Sequence, residues 1–134
     1  MIVVDTNVIA YLFLSGEKTA QARAAYLKDP TWAVPILWRS EFRNVLAMYL
    51  RQGQLGLADA LDLIREAEDL LAGAEYQVES DQVLGLASSS RCSAYDCEFV
   101  ALARDLAVSL VTSDARIVAE FPATAVSLDA FVSE

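Results

Sequence analysis

The apolar runs of this chain are short and unbroken. Ile2-Val3-Val4 and Val108 to Thr112 read as strands, and neither shows the in–out alternation of a strand with one wet face. A strand that is apolar on both sides has to be covered on both sides. That condition is met in parallel sheets whose crossover connections lay helices over each face. The segments between the runs have the length and periodicity to supply those helices. The expected architecture is therefore a three-layer α/β/α domain, with a central parallel sheet of four to five strands and right-handed crossovers.

A pass along the sequence fills in the elements. Residues 1–5 read as the first strand. Residues 7–14 and 18–28 read as helices separated by Gly16. Thr31 to Val34 reads as the second strand, and Pro35 fits the first turn of a helix running to about Arg51. Gly53 and Gly56 bracket a turn. Leu57 to Leu71 has Leu57, Leu61, Ile64 and Leu71 on one helical face, with Gly73 as a C-cap. A strand over Glu75 to Glu79 and a helix from Asp81 to Ser88 follow. Ser93 opens a helix to Leu106, and a short helix follows Asp114. Ala125 to Leu128 is the last strand, ahead of a C-terminal turn. No repeat or Pro/Gly/Ser linker divides the 134 residues, so they are expected to form one domain, 1–134.

Composition removes several chemistries. There is no histidine, and Cys92 and Cys97 are the only cysteines. A Cys/His zinc site is excluded, as are Ser-His and Cys-His nucleophilic pairs. Any catalysis must come from carboxylates, which in a cluster call for a hard cation. The two cysteines are expected to be free thiols without a catalytic role. No stretch of about 18 uncharged apolar residues is present. The apolar N-terminus lacks a basic leader region and is interrupted by Asp5 and Asn7, so no signal peptide is expected and the chain reads as cytoplasmic. The net charge of −9 gives no basic face of the usual nucleic-acid-binding kind. Eight acids fall between Asp59 and Asp81 against the single base Arg65. They form either a solvated helix face or a surface for a basic partner.

The placement of the other acids is more informative. Asp5 ends the first strand and Asp114 lies just past the end of the Val108–Thr112 strand, so a parallel sheet delivers both to one edge. Neighbouring strand ends lie roughly 5 Å apart. Glu41 falls in the first or second turn of the helix after Pro35, and Asp96 in the first turn of the helix opened by Ser93. There is a plain alternative in helix capping: Asp5, Thr6 or Ser113 could N-cap the helix that follows, and Ser93 and Asp96 are spaced as a capping box. Glu41 lies too deep for that. Carboxylates gathered together raise one another's pKa, and a divalent cation relieves the repulsion. An all-oxygen set suits Mg²⁺ or Mn²⁺.

Four stretches in order carry a resemblance: VDTN at the start, P-x-x-x-x-x-E-x-x-N-V-L from Pro35 to Leu46, S-A-Y-D-x-x-x-V-A-L-A from Ser93 to Ala103, and L-V-T-S-D from Leu110 to Asp114. Together they resemble the PIN-domain ribonucleases, most closely the VapC toxins of prokaryotic toxin–antitoxin pairs. The resemblance spans essentially the whole chain. It implies a parallel sheet flanked by helices and an acidic pocket for one or two Mg²⁺ or Mn²⁺ ions. Carried over by position, it makes Asp5, Glu41, Asp96 and Asp114 the catalytic, metal-holding carboxylates. Thr112 becomes a supporting hydroxyl, Asn7 a group orienting Asp5 or a bound water, and Asn44 either a supporting residue or a helix-packing one. Where many relatives carry a charged residue just after the last aspartate, this chain has Ala115. The implied reaction is hydrolysis of RNA, leaving 5′-phosphate and 3′-hydroxyl ends. The implied partners are an RNA substrate, a cognate antitoxin and a second copy of the chain, with no membrane.

Candidate footholds for substrate are few. Arg91 is a candidate phosphate contact. Arg39 and Arg43 share a helix face about 160° from Glu41 and border the cleft, join an interface or form a solvated pair. Trp38 and Tyr95 could stack on bases, with packing the plainer role for both. Two other functions fit parts of the pattern. An aspartate-based phosphatase or receiver-like domain needs paired acids near the first strand and a lysine at a later strand end, whereas Lys18 and Lys28 both fall early. A non-catalytic PIN-like binding domain would not need four intact carboxylates.

Overall fold

In the computed structural model, which describes residues 1–133, five strands alternate with eight helices. Strand β1 (Ile2–Val4) leads into α1 (Thr6–Phe13) and α2 (Thr19–Lys28). Strand β2 (Trp32–Pro35) leads into α3 (Trp38–Arg51) and α4 (Leu57–Leu70). A two-residue β3 (Glu75–Tyr76) precedes α5 (Ser80–Ser88) and α6 (Ala94–Leu106). Then come β4 (Leu110–Thr112), α7 (Ala115–Glu120), β5 (Ala125–Ser127) and α8 (Leu128–Ser133).

All strand pairs are parallel, in the order β3-β2-β1-β4-β5. The chain builds outward from β1 in one direction through β2 and β3. It then crosses back to lay β4 on the other side of β1. The strand order therefore reverses between β1 and β4, which is where ligands sit in open α/β sheets. Helices α1 to α4 and α8 pack on one another as one layer, while α5 and α6 pair as the other and α6 lies across β1, β2 and β4. Every residue of β1, β2 and β4 is buried, as their unbroken apolar character requires.

Several boundaries differ from expectation. Pro35 closes β2 and does not open α3, which starts at Trp38 with Leu37 as its N-cap. Val34 donates its N–H to the carbonyl of Ala74, just before β3, and Ile36 donates to Tyr76 in β3. The nitrogen of Pro35 thus points the other way, toward β1, whose ladder with β2 ends at Val3↔Ala33. A missing donor costs nothing there. On α4 the buried contacts are Ala60 and Ala67, whereas Leu57 and Leu61 are exposed. Small residues let α4 lie close to its neighbours and turn the leucines outward. Leu71 caps α4, and Gly73 adopts φ +78° in the turn that follows, a conformation glycine takes without steric cost. The Glu75–Glu79 strand shrinks to two residues at the sheet edge. The expected C-terminal turn is a helix, α8, which packs on α2, β4 and β5.

Trp38 and Phe42 are fully buried with their rings stacked, and the Trp38 indole N–H donates to Glu75 at 2.7 Å. Arg39 grips Glu75 through two further hydrogen bonds of 2.6 and 2.7 Å and reaches Glu68 at 2.9 Å. Arg39 is thus a clamp between α3, α4 and β3, and not a free cation beside the cleft. Tyr95, by contrast, is exposed and not packed. Both cysteines are free and buried, with thiol pKa values raised chiefly by burial, which suits inert thiols.

Candidate active site

The β1/β4 junction brings the ends of two sequence-distant strands side by side. Val4 is in register with Val111, and the Asp5 N–H donates to the Val111 carbonyl. Above this edge lies a cavity of about 220 Å³ lined by Asp5, Thr6, Asn7, Glu41, Asn44, Val45, Asp96 and Asp114. The carboxylates come from four places: the end of β1, the first turn of α3, the first turn of α6, and the turn after β4.

Each carboxylate is tied to the protein by hydrogen bonds. Asp5 occupies the N-cap position of α1 but does not cap it with its side chain. Its Oδ2 instead accepts a 2.7 Å hydrogen bond from Thr112 Oγ1. Thr112, fully buried, also accepts from the Asp114 N–H at 3.0 Å. Glu41 Oε1 accepts from Thr6 Oγ1 at 2.7 Å. Asp96 and Asp114 do act as caps. Asp96 completes the capping box with Ser93, and Asp114 Oδ1 accepts the Arg116 N–H at 2.8 Å. At Glu41, Asp96 and Asp114 the second carboxylate oxygen accepts no hydrogen bond among the described residues.

The electrostatics follow from this arrangement. Burial pushes the Asp5 carboxyl above its ordinary value. The Thr112 hydroxyl and the Thr6 N–H oppose that rise, and the charges of Asp96 and Asp114 add to it. Glu41 is also raised, first by burial, with Thr6 opposing and Asp5, Asp96 and Glu98 adding. Mutual repulsion thus acts as the sequence suggests, but desolvation is the larger cause. Among the described residues, no three Asp, Glu or Cys side chains are drawn together into a ready-made metal cage. The acids line the walls of the cavity without converging at its centre. In kind, the donors fit a hard divalent cation: oxygen only, unspent on one side of three carboxylates, and open to a shared cavity.

The other expected residues fall as follows. Thr112 supports Asp5 directly. Asn7 and Asn44 are exposed and line the cavity, and among the described residues neither side chain hydrogen-bonds to a carboxylate. Asn7 therefore does not orient Asp5, and Asn44 does not pack between helices. Arg91 lies outside the cavity wall; its backbone N–H donates to Glu120 at 2.6 Å, and its guanidinium pairs with the same residue at 3.5 Å. Thr6 is a site residue the sequence reading missed. It stands next to Asp5, where it reads as a helix cap, yet its buried side chain donates to a carboxylate from a helix 35 positions away. Glu98, two residues after Asp96, was missed as well; it adds to the field on Glu41.

A parallel α/β domain with acids gathered at its strand-order reversal is the class that this fold defines. The PIN domain family model matches residues 2–122, and the chain belongs to that family. It is 27% identical over 125 residues to "Ribonuclease VapC3" of Pyrobaculum aerophilum, a match covering 91% of this chain and 95% of that one. Among solved structures it is similar to PAE2754 from Pyrobaculum aerophilum, with a TM-score of 0.77 at 20% identity, covering 98% of this chain and 93% of the other. It is also similar to FitAcB from Neisseria gonorrhoeae, with a TM-score of 0.73 at 17% identity, covering 96% and 98%. At those identities the two structures speak for the fold.

Proposed function

We propose that this chain is a VapC-type endoribonuclease, dependent on Mg²⁺ or Mn²⁺, and the toxin of a toxin–antitoxin pair. The observation that carries this reading is that Asp5, Glu41, Asp96 and Asp114, from four separate places in the sequence, all line one cavity at the β1/β4 junction. The similarity to a ribonuclease over nine-tenths of the chain supports it. Hydrolysis joins water to the scissile phosphorus and breaks the P–O3′ bond, leaving a 5′-phosphate and a 3′-hydroxyl. One or two bound cations, held by the four carboxylates, would supply charge neutralisation and Lewis acidity at the phosphoryl group. The chain's own part is positional: Thr112 fixes Asp5 and Thr6 fixes Glu41, holding both carboxylates in the wall of one cavity.

An RNA substrate, a cognate antitoxin and a homodimer belong to the same proposal, as does a cytoplasmic location. Among the described residues no helix is long and apolar enough to cross a membrane. The test is cleavage of a diverse RNA pool by wild type and Asp5→Asn with Mg²⁺, with Mn²⁺ and with EDTA. Metal-dependent cleavage lost in Asp5→Asn is the expected result. A second reading, a PIN-like binding domain without catalysis, draws on the capping roles of Asp96 and Asp114. It gains if wild type cleaves none of the pool with either ion.

A further inference from the structure

Beside the carboxylate cavity lies a second one of about 360 Å³. Asn7 and Val45 stand in the walls of both, so the two cavities are immediate neighbours. The chemistry changes across that shared wall. The second cavity is lined by Tyr11, Tyr49, Lys18 and Glu17 among others. Tyr11 is held in place: its hydroxyl hydrogen-bonds with Ser113 Oγ at 3.1 Å, and Ser113 adjoins Asp114. The Lys18 ammonium stands 5.5 Å from the centroid of the Tyr11 ring and makes no ion pair among the described residues. In a chain with 10 bases against 19 acids, a cation in this wall, with no ion pair among the described residues and only Glu17 as an acid beside it, sets the cavity apart from its neighbour, which four carboxylates line.

We infer that this cavity is the subsite for one nucleotide flanking the scissile phosphate of single-stranded RNA. The inference rests on the nuclease reading for the identity of the ligand. A strand drawn across an acid-lined cavity is repelled there, and needs a cation and an apolar surface a short distance along to hold it. Lys18 offers the cation to the flanking phosphate. The tyrosines offer aromatic faces to its base, a contact open to every base but only to an unpaired one. The volume lies within the roughly 300–1,000 Å³ usual for a small-molecule site. The Tyr11–Ser113 hydrogen bond fixes the register between this subsite and the turn that carries Asp114.

Two measurements test the inference. The first is binding of a fluorescent single-stranded octaribonucleotide to Asp5→Asn protein across a range of NaCl concentrations, with and without Lys18→Ala or Tyr49→Ala added. Loss of one phosphate contact is expected to lower the log–log salt slope by about 0.7, a change that a merely structural lysine would not produce. Loss of a stacked ring is expected to weaken binding by roughly tenfold, with Tyr49→Phe restoring it. The second is cleavage kinetics in the otherwise wild-type chain, where both alanine variants are expected to raise KM and leave kcat nearly unchanged. An unaltered salt slope and KM overturns the subsite, as does a failure of the octanucleotide to bind at all, or variants that weaken only the binding of a protein partner. Cleavage with KM indifferent to Lys18 sinks the subsite and leaves the nuclease standing. A Lys18-dependent slope in a protein that cleaves nothing keeps the subsite and sinks the nuclease.

Discussion

Thr112 Oγ1 donates to Asp5 Oδ2 at 2.7 Å and accepts from the Asp114 N–H at 3.0 Å. One buried hydroxyl therefore sets the distance between two carboxylates whose positions in the sequence are more than a hundred residues apart. Valine has the same shape and neither capacity. Thr112→Val strands the Asp114 N–H and leaves Asp5 without its donor, at a cost of about 1–3 kcal/mol in stability. Activity should fall by roughly 10–100-fold, as for other residues that orient metal-holding side chains. Thr112→Ser should keep most of both. Chemical denaturation and cleavage rates on the three proteins check this; Val matching Ser in rate would remove the hydroxyl from the site.

Thr6 does for Glu41 what Thr112 does for Asp5. Its hydrogen bond opposes the upward push of burial and of neighbouring charge on the Glu41 carboxyl. Removing it in Thr6→Val should raise that carboxyl further. If ionised Glu41 is needed, the acidic limb of the activity–pH profile moves to higher pH than in wild type, while the plateau is reached again at alkaline pH. A profile that drops uniformly without shifting would show that Thr6 serves packing alone.

The raised carboxyls of Asp5 and Glu41 cost the fold stability when ionised. Between the ordinary carboxylate range and their elevated native values, the native state holds protons that the unfolded chain has released. Metal-free stability should therefore fall as pH rises through that window and level off above it. Asp5→Asn takes away the largest buried charge. In EDTA at neutral pH the variant should melt a few degrees above wild type, and the gap should close below the ordinary carboxylate range. Functional sites commonly trade stability in this way. A variant less stable than wild type at neutral pH would mean that the Thr112 hydrogen bond outweighs desolvation.

Divalent cations should reverse that ordering. At a concentration of about 100 times its dissociation constant, a ligand binding only the native state adds about 2.7 kcal/mol. Melting curves with Mn²⁺ or Mg²⁺ should show wild type rising with concentration and Asp5→Asn scarcely moving. Equal rises in the two proteins would place the ion elsewhere on this acidic surface.

The architecture was legible because β1 and β4 are apolar on both faces, and only a covered parallel sheet accepts such strands. The same logic put Asp5 and Asp114 on one edge. Other features depend on geometry that periodicity does not carry. Pro35 reads equally as a strand end or a helix start, and the point where the β1 ladder stops decides between them. Leu57 and Leu61 look like a buried stripe until the closer approach of Ala60 and Ala67 turns them outward. Thr6 looks like a cap because its partner, Glu41, is remote in sequence. Asp96 and Asp114 show that capping and lining a site are compatible, since one oxygen serves the helix and the other accepts no hydrogen bond among the described residues.

Arg39 separates stability from chemistry. Its guanidinium spans Glu75 in a two-pronged contact and reaches Glu68, which joins α3 to α4 and to the edge strand β3. The same carboxylate of Glu75 receives the Trp38 indole N–H. Paired forks of this kind are short and directional, yet this one is partly open to solvent, so salt should weaken it. Arg39→Leu should lower the melting temperature by a few degrees, with a smaller difference at high salt, because Glu75 loses its counter-charge at the sheet edge. Glu41 lies on a different face of α3 and holds its position through Thr6, so kcat on RNA should stay within about twofold of wild type, since a substitution remote from the reacting groups leaves transition-state contacts intact. A large fall in kcat with little thermal change would reassign Arg39 to the substrate cleft.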